Sequence, residues 1–337
     1  MLSFKIKPNS PILLLCLLVV VLLSGCSRRK ATLDQSKKAL KAFDYEMIQI
    51  TKRLADTEAF EALMLIRRLP GIQLPFITSN DTIAGSGLST FNMKRANGVY
   101  EYHSTDSLPE KISDSDSLII LYKNPKNQSK SYKLIVKSFH ETLTDLGMVF
   151  PDNLDAEIYQ NNHSIGKITL HTKFKHGIPA TSDFIVDAGR IKAEIQMTTT
   201  FRRKKSNIEL KFKLSEAGRL LIKAGIKSDV KKTLSNSLAY DAKNIELEVF
   251  PIKVEMTSGF CFSDKISENF FNDFNKNTKI TLSDEEGFEL GQVKLAQAPG
   301  RSRVNLIMYY NDGSTENLED LLFSVRKILN MKTTMPH

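Results

Sequence analysis

The sequence predicts an α+β fold: a long N-terminal helix and a C-terminal helix packed on a large curved antiparallel sheet. Three observations carry this. Residues 33–69 place apolar side chains at helical spacing, residues 90–310 alternate mainly with a period of two, and residues 316–331 return to helical spacing. An open sheet of about ten strands tends to curl, so a curled sheet with a helix across its mouth is the most economical layout.

The amino end comes first. Lys5 and Lys7 precede an apolar run over Pro11–Leu23. That run is about 13 residues, short of the roughly 20 needed to span a bilayer, so residues 1–25 read as a signal peptide. It closes on Leu23-Ser24-Gly25-Cys26, which resembles a bacterial lipobox. The resemblance implies that Cys26 is acylated, with palmitate among its chains, and becomes the first residue. Several acyl chains, at about 0.8 kcal/mol per buried CH₂, hold a protein on a membrane stably. Residues 26–32 then form a lipidated tether, with Arg28, Arg29 and Lys30 at the headgroups, each worth about 1 kcal/mol on an anionic surface. Ser27, in place of an Asp, favours the outer membrane by the same resemblance, here on its periplasmic face.

Residues 33–337 read as one domain. The chain holds 47 Lys and Arg against 38 Asp and Glu, and losing Lys5 and Lys7 leaves a net charge of +7. The bases are scattered among acids, so nucleic acid is not an expected partner. Of the Cys residues at 16, 26 and 261, only Cys261 remains in the mature body, which excludes an intrachain disulfide. Its setting between Phe260 and Phe262 suits an inert buried thiol.

In the first helix Leu40, Phe43, Met47, Ile50 and Leu54 line one face, Asp34 sits at its start, and Pro70-Gly71 terminates it. The phase shifts at Thr57 and Glu61, with Phe60, Leu63, Met64 and Arg67 on a new face. Strands are expected over Gly98–Tyr102, Ser117–Tyr122, Tyr132–Phe139 and Ile165–Phe174. Residues 191–214 predict a hairpin: Ile191, Ala193, Ile195, Met197 and Phe201 on one strand match Ile208, Leu210, Phe212 and Leu214 on the next, with a basic turn at Arg202–Asn207. Residues 216–238 suggest a helix, weakened by Gly218 and Gly225. Asn244–Thr257 reads as one strand with a bend at Phe250-Pro251. Strands at 280–282, 289–297 and 303–310 and a turn at Asn311-Asp312-Gly313 precede the last helix.

Site chemistry is sparse. His140-Glu141 lacks the second His of a zinc-protease helix, since Thr144 stands there, and Gly85-Ser-Gly87 lacks the flanking glycines and lysine of nucleophile or phosphate loops. His163 and His171 share one strand parity but lie too far apart to ligate one metal. No metal or cofactor is expected. Asp81-Thr82-Ile83, Asp106-Ser107-Leu108 and Asp116-Ser117-Leu118 share an Asp-hydroxyl-apolar form. It is similar to O-glycosylation sites on exported Gram-negative proteins, which implies Thr82, Ser107 and Ser117 as acceptors.

The lipobox, the early helix, the Gly98-x-Tyr100-x-Tyr102 strand, the alternating body and the Tyr310-x-Asp312-Gly313 turn together resemble the uncharacterised Gram-negative outer-membrane lipoproteins. The likeness carries no activity with it. The expectation is a membrane-anchored, non-enzymatic binding or scaffolding module, with an apolar, lipid-like ligand between sheet and helix lined by Phe43, Met47, Ile195, Met197, Leu210 and Phe212. An envelope-polymer hydrolase, or an accessory subunit of an outer-membrane assembly with an envelope protein as partner, are the alternatives.

Overall fold

The protein is described by a computed structural model, which covers residues 29–71, 92–104, 107–143, 149–175, 178–202, 206–232, 238–258, 269–297, 304–324 and 326. The expectations for residues 1–25, Cys26, Thr82, Cys261 and most of the basic turn after Arg202 lie outside these described residues.

The body is a single sheet of 16 strands that follows chain order almost throughout. Its strands are β1 (Gly98–Glu101), β2 (Glu110–Ser113), β3 (Leu118–Asn124), β4 (Asn127–Leu143), β5 (Val149–Gln160), β6 (His163–Lys175), β7 (Ile178–Ala188) and β8 (Ile191–Thr200). They continue as β9 (Ser206–Glu216), β10 (Arg219–Lys232), β11 (Leu238–Val249), β12 (Ile252–Ser258), β13 (Thr278–Asp284), β14 (Glu289–Gln297), β15 (Val304–Tyr310) and β16 (Thr315–Asn317). Every neighbouring pair is antiparallel except β1 with β3. Short β2, with charged Glu110 and Lys111, ends the sheet at one edge, a composition that discourages edge pairing.

The turns at one end of the strands, here the near rim, are tight. Asn161-Asn162 between β5 and β6 and Ala217-Gly218 between β9 and β10 both hold two successive residues at positive φ, the two-residue hairpin geometry that matches strand twist. The Ala217-Gly218 turn explains why residues 216–238 are not a helix: the alternation of Ile222, Ala224 and Ile226 continues β9 across the hairpin. Likewise Phe250-Pro251 is a turn between two strands, β11 and β12, and not a bend within one. The expected 191–214 hairpin forms in the expected register, with Ile195 opposite Phe212 and Met197 opposite Leu210.

Two helices replace the expected single helix over 33–69: α1 (Leu33–Ala55) and α2 (Glu58–Ile66). Thr32 caps α1 reciprocally with Gln35, a capping box. The break falls at Thr57, which leaves helical geometry and caps α2 by accepting from the Phe60 amide. At about 1.5 Å per residue α1 is about 35 Å long, the width of about seven strands. It crosses the sheet accordingly, contacting β14, β12 and β11, with Ile50 packed among Ile191, Leu214, Leu221 and Val249. The second helix continues over β7, β6 and β5. Its buried face is Ala59, Ala62 and Ile66, while Phe60 and Met64 are exposed, the reverse of the expected face. Small residues win this position because α2 lies close to the sheet: a Cβ at Gly166 of β6 would stand 3.2 Å from the Cβ of Ala59.

Three further short helices are α3 (Met93–Ala96), α4 (Phe270–Asn277) and α5 (Leu318–Leu321). The expected helix over 316–331 thus begins with strand residues and a single helical turn, and beyond residue 326 it lies outside the described residues. Residues 323 and 324 return to α1, where Asp44 accepts from both backbone amides and from the Ser324 hydroxyl.

Candidate functional site: an apolar row on the helix-bearing face

One face of the sheet carries the helices, and the apolar side chains of that face divide by height along the strands. Near the rim of tight turns Ile191, Leu214, Leu221 and Val249 are buried beneath α1. Phe43, Met47 and Phe212 belong to the same packed cluster. One step further along the strands, Met197, Leu210, Ile226, Ile245 and Met256 form a continuous cross-strand row from β8 to β12. All five are only half-buried and lie outside the three clusters that the helices close. Ile195, beside Phe212, shares this partly buried setting. Still further along, burial returns: Thr199 is 7 % exposed, Ser228 8 %, Val230 3 % and Ser258 6 %.

The row therefore lies between two buried bands of the same strands. The near band is the α1 cluster. The far band is hydroxylic and internally satisfied: Thr199 donates to the Pro179 carbonyl at 2.6 Å and the Ser258 and Thr278 hydroxyls pair at 2.8 Å. Row and far band together present an apolar strip edged by hydroxyls.

Sequence reasoning placed six lining residues between helix and sheet. All six are partly buried: Phe43, Met47 and Phe212 pack against the cluster beneath α1, while Ile195, Met197 and Leu210 lie on the same face outside that cluster. Ile226, Ile245 and Met256 join the row: Ile245 and Met256 are inward residues of the predicted 244–257 strand, whereas Ile226 falls in the segment that reads as a helix. The Ala217-Gly218 pair is the signal that places Ile226 on a strand.

Two clefts flank α2. One, of about 510 Å³, lies at the joint between α1 and α2 and is lined by Arg53, Asp56, Glu58, Ser164, Arg190 and Glu216 among others. Arg53 donates to Glu46 at 2.6 Å, and Arg53 and Arg190 both approach Glu216, at 3.5 and 3.4 Å. These charges compensate one another. The other, of about 460 Å³, is lined by Phe60, Met64, Leu65, Arg68 and Lys126. At its edge Glu61 accepts from Asn124 at 2.6 Å, Lys130 at 2.8 Å and Tyr132 at 2.9 Å. The Lys130 ammonium, then the Tyr132 and Asn124 donors, hold the Glu61 carboxyl below its usual range despite partial burial. Burial and the Glu61 carboxylate push the Tyr132 phenol up. This network pins α2 to β3 and β4, with Tyr122 donating to the Ala62 carbonyl at 3.0 Å.

Ser107 and Ser117 lie on the loops either side of edge strand β2. The Ser107 hydroxyl donates to the Ser104 carbonyl at 3.0 Å, and the Ser117 carbonyl accepts from Gly98. Among the described residues no group of three or more His, Cys, Asp or Glu side chains is placed to hold a metal ion. Comparison with protein-family models, with curated proteins and with solved structures finds no match.

Proposed function

We propose that this protein is a lipid-anchored, non-enzymatic binding protein of a bacterial outer membrane, facing the periplasm. It would hold an apolar, lipid-like ligand along the row of Met197, Leu210, Ile226, Ile245 and Met256. The supporting observation is that continuous row, only partly buried between two buried bands of the same strands. Burying apolar surface against a ligand would yield about 25 cal/mol per Å², and a row held in register by the sheet lowers the ordering cost of binding. The Leu23–Cys26 lipobox supports the anchor.

Native mass spectrometry of the full-length protein, extracted gently from its own membrane, tests this reading. A discrete extra mass that survives removal of detergent and is lost on denaturation supports a carried ligand. A bare protein, with partner subunits in place of a small mass, overturns it in favour of a scaffold.

A further inference from the structure

The described chain starts at one rim of the sheet, and its direction there is fixed. Residues 29–31 form a short parallel bridge beside Glu289: the Glu289 amide donates to the Arg29 carbonyl at 2.7 Å, and the Ala31 amide donates to the Glu289 carbonyl at 2.9 Å. Asn311 clamps the bridge by donating to the Ala31 and Glu289 carbonyls at 3.2 and 2.7 Å. Because the bridge is parallel to β14, which starts at Glu289 and runs away from the near rim, Arg29 stands on the side of Ala31 that faces that rim. Only three peptide steps separate Arg29 from Cys26, at most about 11 Å of extended chain.

That same rim carries exposed apolar side chains at adjacent hairpin tips. Phe250, in the β11–β12 turn, is 52 % exposed, and Leu220, just after the β9–β10 turn, is 48 % exposed. Val249 pairs with Ile222, so the two tips are neighbours. Exposed Arg219 stands beside Leu220, and Arg190, at the β7–β8 tip, has a side chain 80 % exposed. The turns nearest the entry point are acidic instead, with exposed Glu285, Glu286 and Asp312.

From this geometry we propose that the near rim rests on the lipid surface that holds the anchor. Leu220 and Phe250 enter the boundary between headgroups and acyl chains, and Arg219 meets lipid phosphates. The acidic turns at 285–287 and 311–314 are repelled by those phosphates, which tilts the body onto its β7–β12 side. The anchor is then one of several contacts, and the apolar row lies at a fixed height above the bilayer. This orientation rests on the acylation of Cys26 proposed above.

The chain contains no Trp, so a single introduced indole is a clean depth probe. The full-length protein, its acylation checked by intact mass, is placed in vesicles of phosphatidylethanolamine and phosphatidylglycerol with brominated acyl chains. Residues at an interfacial depth of about 5–10 Å should lose about half or more of their emission to the bromines. F250W, with L220W as a second variant at the neighbouring tip, is expected to show that loss. L143W, at an exposed position on the opposite rim, is expected to show none. An acylated protein with unquenched F250W and L220W, or with quenched L143W, overturns the orientation while leaving the anchor intact. A chain without acyl mass overturns the anchor, and the orientation falls with it.

Discussion

Leu214 and Leu210 stand on one face of β9 with Phe212 between them. Leu214 is buried against Ile50 of α1, whereas Leu210 is only partly buried in the apolar row. The same contrast separates Val249 from Ile245 on β11 and Ile252 from Met256 on β12. Residue type does not distinguish the two rows. The reach of the helices does: α1 and α2 cross near the rim of tight turns, and the apolar alternation of the strands runs on past them. A row that packs against a helix stabilises the fold. A row that none of the described helices packs against leaves apolar surface partly exposed among the described residues, and a contiguous strip of that kind suits a partner or ligand.

This contrast breaks first at the covered row. Leu40 of α1 is fully buried in the cluster with Leu282, Leu290 and Met308. Leu40→Ala should lower unfolding free energy by about 2–5 kcal/mol, as large-to-small core changes do, read from the midpoint of urea denaturation. Next comes the fit of α2. Gly166→Val inserts side-chain atoms where a Cβ alone would stand 3.1 Å from the Asp187 carbonyl and 3.2 Å from Ala59. Overpacking of this kind should cost about 1–3 kcal/mol, with α2 lifted and its amides exchanging faster than those of α1.

A smaller effect is expected at Glu61. Its side chain is about a third exposed, so solvent screening limits each contact and Glu61→Gln should cost about 1 kcal/mol at neutral pH. Because the folded-state carboxyl titrates below its ordinary value of 4.5, its contribution is full above that value. It is lost as pH falls through the lowered folded value. Denaturation measured across acidic pH should therefore show a shallower loss of stability in Glu61→Gln than in the parent. The smallest stability change belongs to the apolar row: Leu210→Gln should cost about 1 kcal/mol, less than a fully buried leucine, since its side chain is only partly buried.

Much of the fold is legible from alternation alone. The 191–214 hairpin, the strands at 165–174 and 289–297, and the α1 stripe through Leu40, Phe43, Met47 and Ile50 follow directly from period two and period 3.6. The failures share a cause. Ala217-Gly218 and Phe250-Pro251 are turn signals set inside apolar runs, and reading through them turned β10 into a helix and fused β11 with β12. Thr57 was visible as a loss of phase, yet its capping of α2 depends on a backbone conformation that spacing does not show. On α2 the large residues Phe60 and Met64 drew the eye, although close approach to Gly166 demands Ala59 and Ala62. The row was partly legible: the sequence marks Ile195, Met197 and Leu210 as inward, but where the helices stop along the strands is a property of the packed molecule.

The central claim is that the two rows of the same strands have different roles. Titration of an apolar fluorescent dye into the parent protein, Leu210→Gln and Leu40→Ala, each checked for its urea midpoint, tests it directly. The account predicts that Leu210→Gln loses most dye binding while its midpoint stays close to the parent's, and that Leu40→Ala lowers the midpoint while the folded fraction still binds. Unchanged dye binding in Leu210→Gln, with a midpoint lowered as far as in Leu40→Ala, would contradict it and make the apolar row a part of the core.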